Sequence, residues 1–306
     1  MRWRLAAVLV VALTAPARAD ESVKTPPPAA PVPAQVNCQI VRKVLLDMDM
    51  DDTGRITVPV TIAGVEKRML VDTGASDSLI AAPTVAALKL ATRRAPNGAY
   101  MQGFGGRIDA KVVDIAEFGL GRMKGKNFTL FVETGYLDAD GLLGGDFLYF
   151  FDLDFDFANA KLSLFSPDHC PGKVMYWSRG NYGVVPFEIE QNHIMIKVQL
   201  DGQEIKAALD TGAADTVMSL ERASGAFDLD KDKLKKSRHY PFKTLSFGEV
   251  SVINPAIDLM PDDQSRVMGR HSSDLQMIIG MGVLRRLHLY ISYKEKKIYV
   301  TPATQY

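Results

Sequence analysis

Two eight-residue stretches of this chain read almost alike. Val71-Asp72-Thr73-Gly74-Ala75-Ser76-Asp77-Ser78 is echoed by Leu209-Asp210-Thr211-Gly212-Ala213-Ala214-Asp215-Thr216. Each follows an apolar pair, Met69-Leu70 and Ala207-Ala208. An ionised carboxylate at the end of an apolar strand is costly unless it is paired or hydrogen-bonded. The same cost in the same context, twice, predicts that the two halves of the chain face each other and bring Asp72 and Asp210 together. Carboxyls in contact cannot both ionise, so they share a proton and offer one acid and one base. Such a pair can activate water.

The repeat extends well beyond the motif. Ile56–Ile62 alternates in polarity, turns at Ala63-Gly64 and returns through Lys67–Val71; His193–Leu200 alternates, turns at Asp201-Gly202 and returns through Glu204–Leu209. Both read as β-hairpins that deliver an Asp. Downstream, Leu142-Leu143-Gly144 matches Ile278-Ile279-Gly280, at offsets of 144 − 72 = 72 and 280 − 210 = 70 residues from the Asp. A closing strand pair follows each: 151–156 with 161–165, and 287–292 with 297–300. Four features in one order at one spacing make an internal duplication. Two units follow, 52–166 and 183–306, joined by a connection at 167–182. Helix is expected only in short pieces, at Ala82–Leu88 and Leu220–Gly225.

With 306 residues, 47% apolar and 24% charged, the chain has ample material for two lobes. Its net charge of zero gives no sign of a nucleic-acid partner. Arg2 and Arg4, the apolar run Leu5–Leu13 and Ala17-Arg18-Ala19 predict a signal peptide over 1–19 and export to the periplasm or the extracellular space. The apolar run is too short for a permanent membrane span. Residues 20–51 read as an arm, Pro- and Ala-rich over Thr25–Pro33, with ordered structure expected to begin between Cys38 and Gly54. Cys38 and Cys170 flank the first unit; in an exported chain they can form a disulfide that pins the arm to the connection, the alternative being two unrelated thiols. His169-Cys170 lacks metal-ligand spacing, and neither a metal nor a cofactor is expected.

The duplicated Asp-Thr-Gly-Ala, each copy with its apolar-apolar-Gly partner, resembles the aspartic proteases of the retropepsin and pepsin clan. That resemblance implies an all-β fold of two retropepsin-like barrel lobes related by a pseudo-twofold axis, both on one chain, so that a monomer suffices. It implies an endopeptidase that binds polypeptide in extended form and hydrolyses it without a covalent intermediate. Asp72 and Asp210 would hold the water. Thr73 and Thr211 would lock the two loops together, and Gly74 and Gly212 would allow their close approach. Leu143, Gly144, Ile279 and Gly280 would pack against the loops. Gly103-Phe104-Gly105-Gly106 would be the tip of a flap over the substrate, in the first lobe only.

Three departures qualify that resemblance. Clan members often carry Ser or Thr after the Gly, where this chain has Ala75 and Ala213; losing a hydroxyl that favours the charged carboxylate raises its pKa and predicts an optimum at weakly acidic or neutral pH. Asp77 and Asp215 are duplicated too, and either bind substrate backbone or cap the structure that follows. Asp146 and Gly282 stand where retroviral enzymes place an Arg, so that Arg pairing is not transferable. The reading of a different class is a non-catalytic peptide- or protein-binding module on the same scaffold.

Overall fold

The computed structural model describes residues 38–95, 100–103, 106–135, 137–261 and 275–304. The signal peptide and the Pro-rich segment expected at the N-terminus lie outside the described residues, as do Phe104 and Gly105. Strands dominate, and the few helices are short.

Both hairpins form as the alternation requires. Ile56, Val58, Val60 and Ile62 point inward from Ile56–Ile62, which pairs antiparallel with Val65–Val71. Ala63 and Gly64 turn with φ of 50° and 81°. The second-lobe hairpin, His193–Leu200 with Gln203–Leu209, turns at Asp201 and Gly202 with φ of 45° and 83°. Two successive left-handed residues match the twist of the flanking strands, which is why short hairpins favour such turns.

From each hairpin the sheet continues in one order. In the first lobe Val65–Val71 pairs in parallel with Gly141–Leu143, which pairs antiparallel with Leu79–Ala81, which pairs in parallel with Met123–Glu133. In the second, Gln203–Leu209 pairs in parallel with Met277–Ile279, then antiparallel with Val217–Ser219, then in parallel with Asp258–Met260. The identical topology is the duplication written in hydrogen bonds. In the first lobe the long hairpin of Lys111–Leu120 and Met123–Glu133 pairs back onto Ile56–Ile62 and closes the barrel.

A shared sheet joins the lobes. Across the seam its strands run Arg42–Asp47, Lys161–Phe165, Asp152–Asp156, Leu287–Ser292, Lys297–Pro302 and Gly183–Glu190, and from there the sheet continues into the second lobe. The seam is the antiparallel pair of Asp152–Asp156 with Leu287–Ser292. All six residues of Leu287–Ser292 are buried, so both faces of this sheet are covered. Arg42–Asp47 is an edge strand here rather than part of an arm; the ordered chain joins the sheet ten residues before position 52 (52 − 42 = 10).

Under the seam lies a polar cluster. Asp152 and Asp154 are buried on the seam strand. Asp152 faces His169 Nε2 at 2.5 Å and accepts from the Tyr290 hydroxyl at 3.2 Å. Asp154 faces His288 Nε2 at 2.6 Å and accepts from Tyr176. The Trp177 ring stacks on His288 at 4.4 Å. Buried carboxylates persist only with such partners. Next to His169, Cys170 is disulfide-bonded to Cys38, with Cα atoms 4.6 Å apart.

The helices form at Ala82–Ala87 and Leu220–Phe227, close to the expected spans. Neither duplicated Asp caps them. Ala81 occupies the first N-cap, and Ser219 caps the second by accepting from Arg222 N at 3.1 Å. A further helix, Lys231–Ser237, was not expected; Asp230 caps it through the N–H groups of Asp232 and Lys233.

Candidate active site

Each Asp sits where its strand leaves the sheet. The Asp72 N–H donates to Leu143 O at 3.0 Å, and the Asp210 N–H donates to Ile279 O at 3.0 Å. The apolar-apolar-Gly strands therefore hold the first residue of each loop. Past that point the loops meet across the pseudo-twofold axis.

Thr73 and Thr211 make the junction. Thr73 Oγ1 donates to Leu209 O at 2.9 Å and accepts from the Thr211 N–H at 3.1 Å. Thr211 Oγ1 donates to Val71 O at 2.7 Å and accepts from the Thr73 N–H at 3.1 Å. Both side chains are buried. Four bonds run between the halves, and every donor and acceptor of the two hydroxyls that matters for the junction is matched by its symmetry mate.

Gly74 and Gly212 are required by the contact itself. A Cβ on Gly74 would stand 2.3 Å from Asp210 Cγ, and one on Gly212 would stand 2.3 Å from Asp72 Cγ. Each glycine of one half thus underlies the carboxyl of the other. Each N–H also donates to the carboxyl of its own half: Gly74 to Asp72 Oδ1 at 2.9 Å, Gly212 to Asp210 Oδ1 at 2.8 Å. The Ala213 N–H adds a bond to Asp210 Oδ1 at 3.1 Å.

Below the loops the two Gly-led turns act as braces. At Gly144 a Cβ would clash with the Asp77 carbonyl carbon at 2.7 Å, and at Gly280 with the Asp215 carbonyl oxygen at 2.2 Å. The next two N–H groups in each half point at the loop: Gly145 to Ala75 O and Asp146 to Ser76 O, Met281 to Ala213 O and Gly282 to Ala214 O, all at 2.8–3.0 Å. A hydroxyl completes each brace. Ser78 Oγ accepts from the Gly144 N–H, and Thr216 Oγ1 accepts from the Gly280 N–H. Asp146 is the divergent member; its Oδ1 accepts from the N–H and the hydroxyl of Ser78 at 2.8 and 2.6 Å. Leu143 and Ile279 are buried behind the loops.

The electrostatics follow from this geometry. Burial raises the Asp72 carboxyl well above its ordinary value, and the Asp210 charge beside it raises it further. Burial raises Asp210 as well, but the N–H bonds from Gly212 and Ala213 and the bond from Asp72 oppose it. The pair therefore keeps one proton to a higher pH than a lone carboxyl does. Asp77 is also raised, by burial and then by Asp146.

Tyr100–Gly103 and Gly106–Asp109 form a separate antiparallel hairpin with Gly103 opposite Gly106. A hairpin therefore stands where the flap was expected, and the tip residues Phe104 and Gly105 lie outside the described residues. Sequence reasoning missed His193, a buried residue whose charge bears on Asp210. The signal was available: His193 and Arg55 stand at the same offset from the two Asp residues, 210 − 193 = 17 and 72 − 55 = 17.

The family model for "gag-polyprotein putative aspartyl protease" matches residues 58–149, which lie in the first lobe. No curated protein matches the chain in sequence. Among solved structures, the aspartic proteinase from Irpex lacteus is similar in fold, with a TM-score of 0.54 at 13% identity over 85% of this chain and 97% of that one. That structure bears on the fold of both lobes, and the family match bears on the first. Over residues 58–149 the chain is similar in sequence to an aspartyl protease family, and over most of its length it is similar in fold to a two-lobed aspartic proteinase.

Proposed function

We propose that Asp72 and Asp210 form a catalytic dyad that hydrolyses peptide bonds through one activated water. The observation that carries this reading is the reciprocal seating of the two carboxyls, each against the glycine of the opposite half. Between them they hold one proton, so a water bound there meets a base and an acid together. One carboxyl takes the water's proton as its oxygen bonds to the scissile carbonyl carbon, and the other gives its proton to the carbonyl oxygen. On collapse of the tetrahedral diol, the first carboxyl protonates the departing amine and the second regains its proton from a diol hydroxyl. No bond to the protein forms. The substrate lies as an extended strand between the lobes, under the hairpin led by Tyr100–Gly103.

The same reading makes the protein exported and monomeric. A disulfide between Cys38 and Cys170 fits an oxidising compartment. Among the described residues no helix is long and apolar enough to cross a membrane. Neither Ala75 nor Ala213 offers the dyad a hydroxyl, and burial raises both carboxyls. Cleavage is expected to peak at weakly acidic to neutral pH.

Digestion of an unfolded protein across the pH range tests this. Wild-type chain cleaves it, and Asp72→Asn or Asp210→Asn lowers kcat by at least about 10³-fold with the fold intact. An optimum below about pH 4 would contradict the tuning. Peptide binding without cleavage at any pH would favour the non-catalytic module.

A further inference from the structure

Behind the brace of the first lobe lies an open cavity of about 530 Å³. Leu143 and Ser78, which hold the first loop in place, line one side of it. Phe118, Phe128, Phe147 and Phe151 supply an aromatic wall. Their rings form one chain of contacts, with centroids 5.3 Å apart for Phe118 and Phe128, 6.1 Å for Phe118 and Phe147, and 5.7 Å for Phe147 and Phe151. Phe150 stands at the rim and is 71% exposed. A concave apolar surface of this size, with a few polar groups at its edge, has the make-up of a small-molecule site.

The second lobe closes the equivalent wall. Counted from the glycine of each brace, Phe150 answers to Arg286, since 150 − 144 = 6 and 286 − 280 = 6. The same count matches Phe147 with Val283 and Phe151 with Leu287. Val283 and Leu287 are fully buried, whereas Phe147 and Phe151 are only half-buried. Arg286 reaches the end of the strand Val250–Ile253 and donates to Ile253 O at 2.7 Å and to Asn254 O at 3.4 Å. A phenylalanine can make no such bond. The opening is therefore a departure of the first lobe and not a property of the duplicated unit.

The polar edge of the cavity selects the occupant. Asp146 lines it, at a position where the second lobe has Gly282. Both hydrogen bonds that Asp146 accepts from Ser78 fall on Oδ1, which leaves Oδ2 without a donor among the described residues. The other polar groups of the edge are engaged: Lys124 is paired with Glu117 at 3.1 Å, and the Thr129 hydroxyl donates to Asp114 at 2.7 Å. What the edge lacks is a cationic donor for Asp146, and charge-assisted hydrogen bonds are the strong ones.

We propose that this cavity binds a small amphiphile, an apolar chain or ring carrying an ammonium head, with its body among Phe118, Phe128, Phe147 and Phe151 and its head on Asp146. Binding there does not depend on the chemistry of the dyad. It does touch the brace: the Asp146 N–H donates to Ser76 O at 3.0 Å, so an occupant sits against a residue that holds the loop of Asp72.

4-Phenylbutylamine and 4-phenylbutyrate share one body and carry opposite heads, and they are the probes. The readout is the NMR shift of the methyl group of Met123, which lines the cavity, assigned with Met123→Leu. In wild type the amine moves this signal saturably with a Kd of about 1 mM. The acid binds at least about fivefold more weakly. Asp146→Asn keeps an oxygen for Ser78 but removes the charge, and the two probes then bind within about twofold of each other. The wild-type comparison stands even if that variant does not fold. Binding of the acid as tight as that of the amine, a preference for the amine that persists in folded Asp146→Asn, or a Met123 signal unmoved by about 10 mM amine would each overturn the proposal. Sedimentation of wild type covers the other occupant: a dimer that the amine cannot enter would assign the cavity to a second copy of the chain and overturn it too. These measurements read binding alone. Absence of cleavage at every pH would defeat the dyad reading and leave this site in place.

Discussion

A buried carboxyl is expensive to keep, and Asp72 shows the cost at the scale of one residue. Burial raises its pKa well above the unfolded value of 3.8, and the Asp210 charge adds to the shift. The folded chain therefore binds more protons than the unfolded chain between that value and the raised one, and stability falls as pH climbs through this window. Asp72→Asn removes the penalty. The variant is expected to be inactive yet more stable than wild type at neutral pH by about 0.5–2 kcal/mol, with the gap closing as pH falls toward the unfolded value. Thermal unfolding of both proteins at several pH values checks this; a gap independent of pH would mean that the carboxyl carries no such strain. Asp72 and Asp210 were legible in the sequence because a costly residue type recurred in one apolar context. His193 was not, because a histidine opening an alternating strand looks like any other strand residue.

At the scale of elements, the candidate active site is two loops tied by two hydroxyls. Thr211→Val keeps the shape of the side chain but leaves Val71 O without its donor and the Thr73 N–H without its acceptor. Stranded buried groups cost about 1–3 kcal/mol each, so denaturant unfolding should show a loss in that range or above. Because the same bonds set the distance between the carboxyls, kcat falls with stability. Thr211→Ser retains the hydroxyl and stays within about 1 kcal/mol of wild type. A loss in Thr211→Ser with none in Thr211→Val would show that the methyl group, not the bond pattern, holds the junction. The hairpins were readable from alternation and from turn residues such as Asp201-Gly202. Lys231–Ser237 was not, because Leu234 is its one buried side chain and six polar neighbours give no apolar stripe. Arg42–Asp47 was hidden for a related reason: as an edge strand it buries only Val44 and Leu46.

For the whole molecule, the two halves are related by duplication and joined where Asp152–Asp156 of the first pairs with Leu287–Ser292 of the second. The number of lobes and their common topology followed from repeat spacing alone. The seam did not. Asp152-Leu153-Asp154-Phe155-Asp156 alternates like a strand with one wet face, yet its first two carboxylates are buried against His169 and His288, partners distant in sequence. Strand alternation records local exposure, and it fails where a second layer brings its own polar partners to the outer face. The duplication has one consequence that is open to direct measurement: the proposed dyad is complete within one chain. Asp72→Asn and Asp210→Asn should each be inactive on an unfolded protein substrate, and an equimolar mixture of the two should be as inactive as either alone. Recovery of cleavage on mixing would mean that dyads assemble between chains, and activity in either variant alone would contradict the paired-carboxylate account.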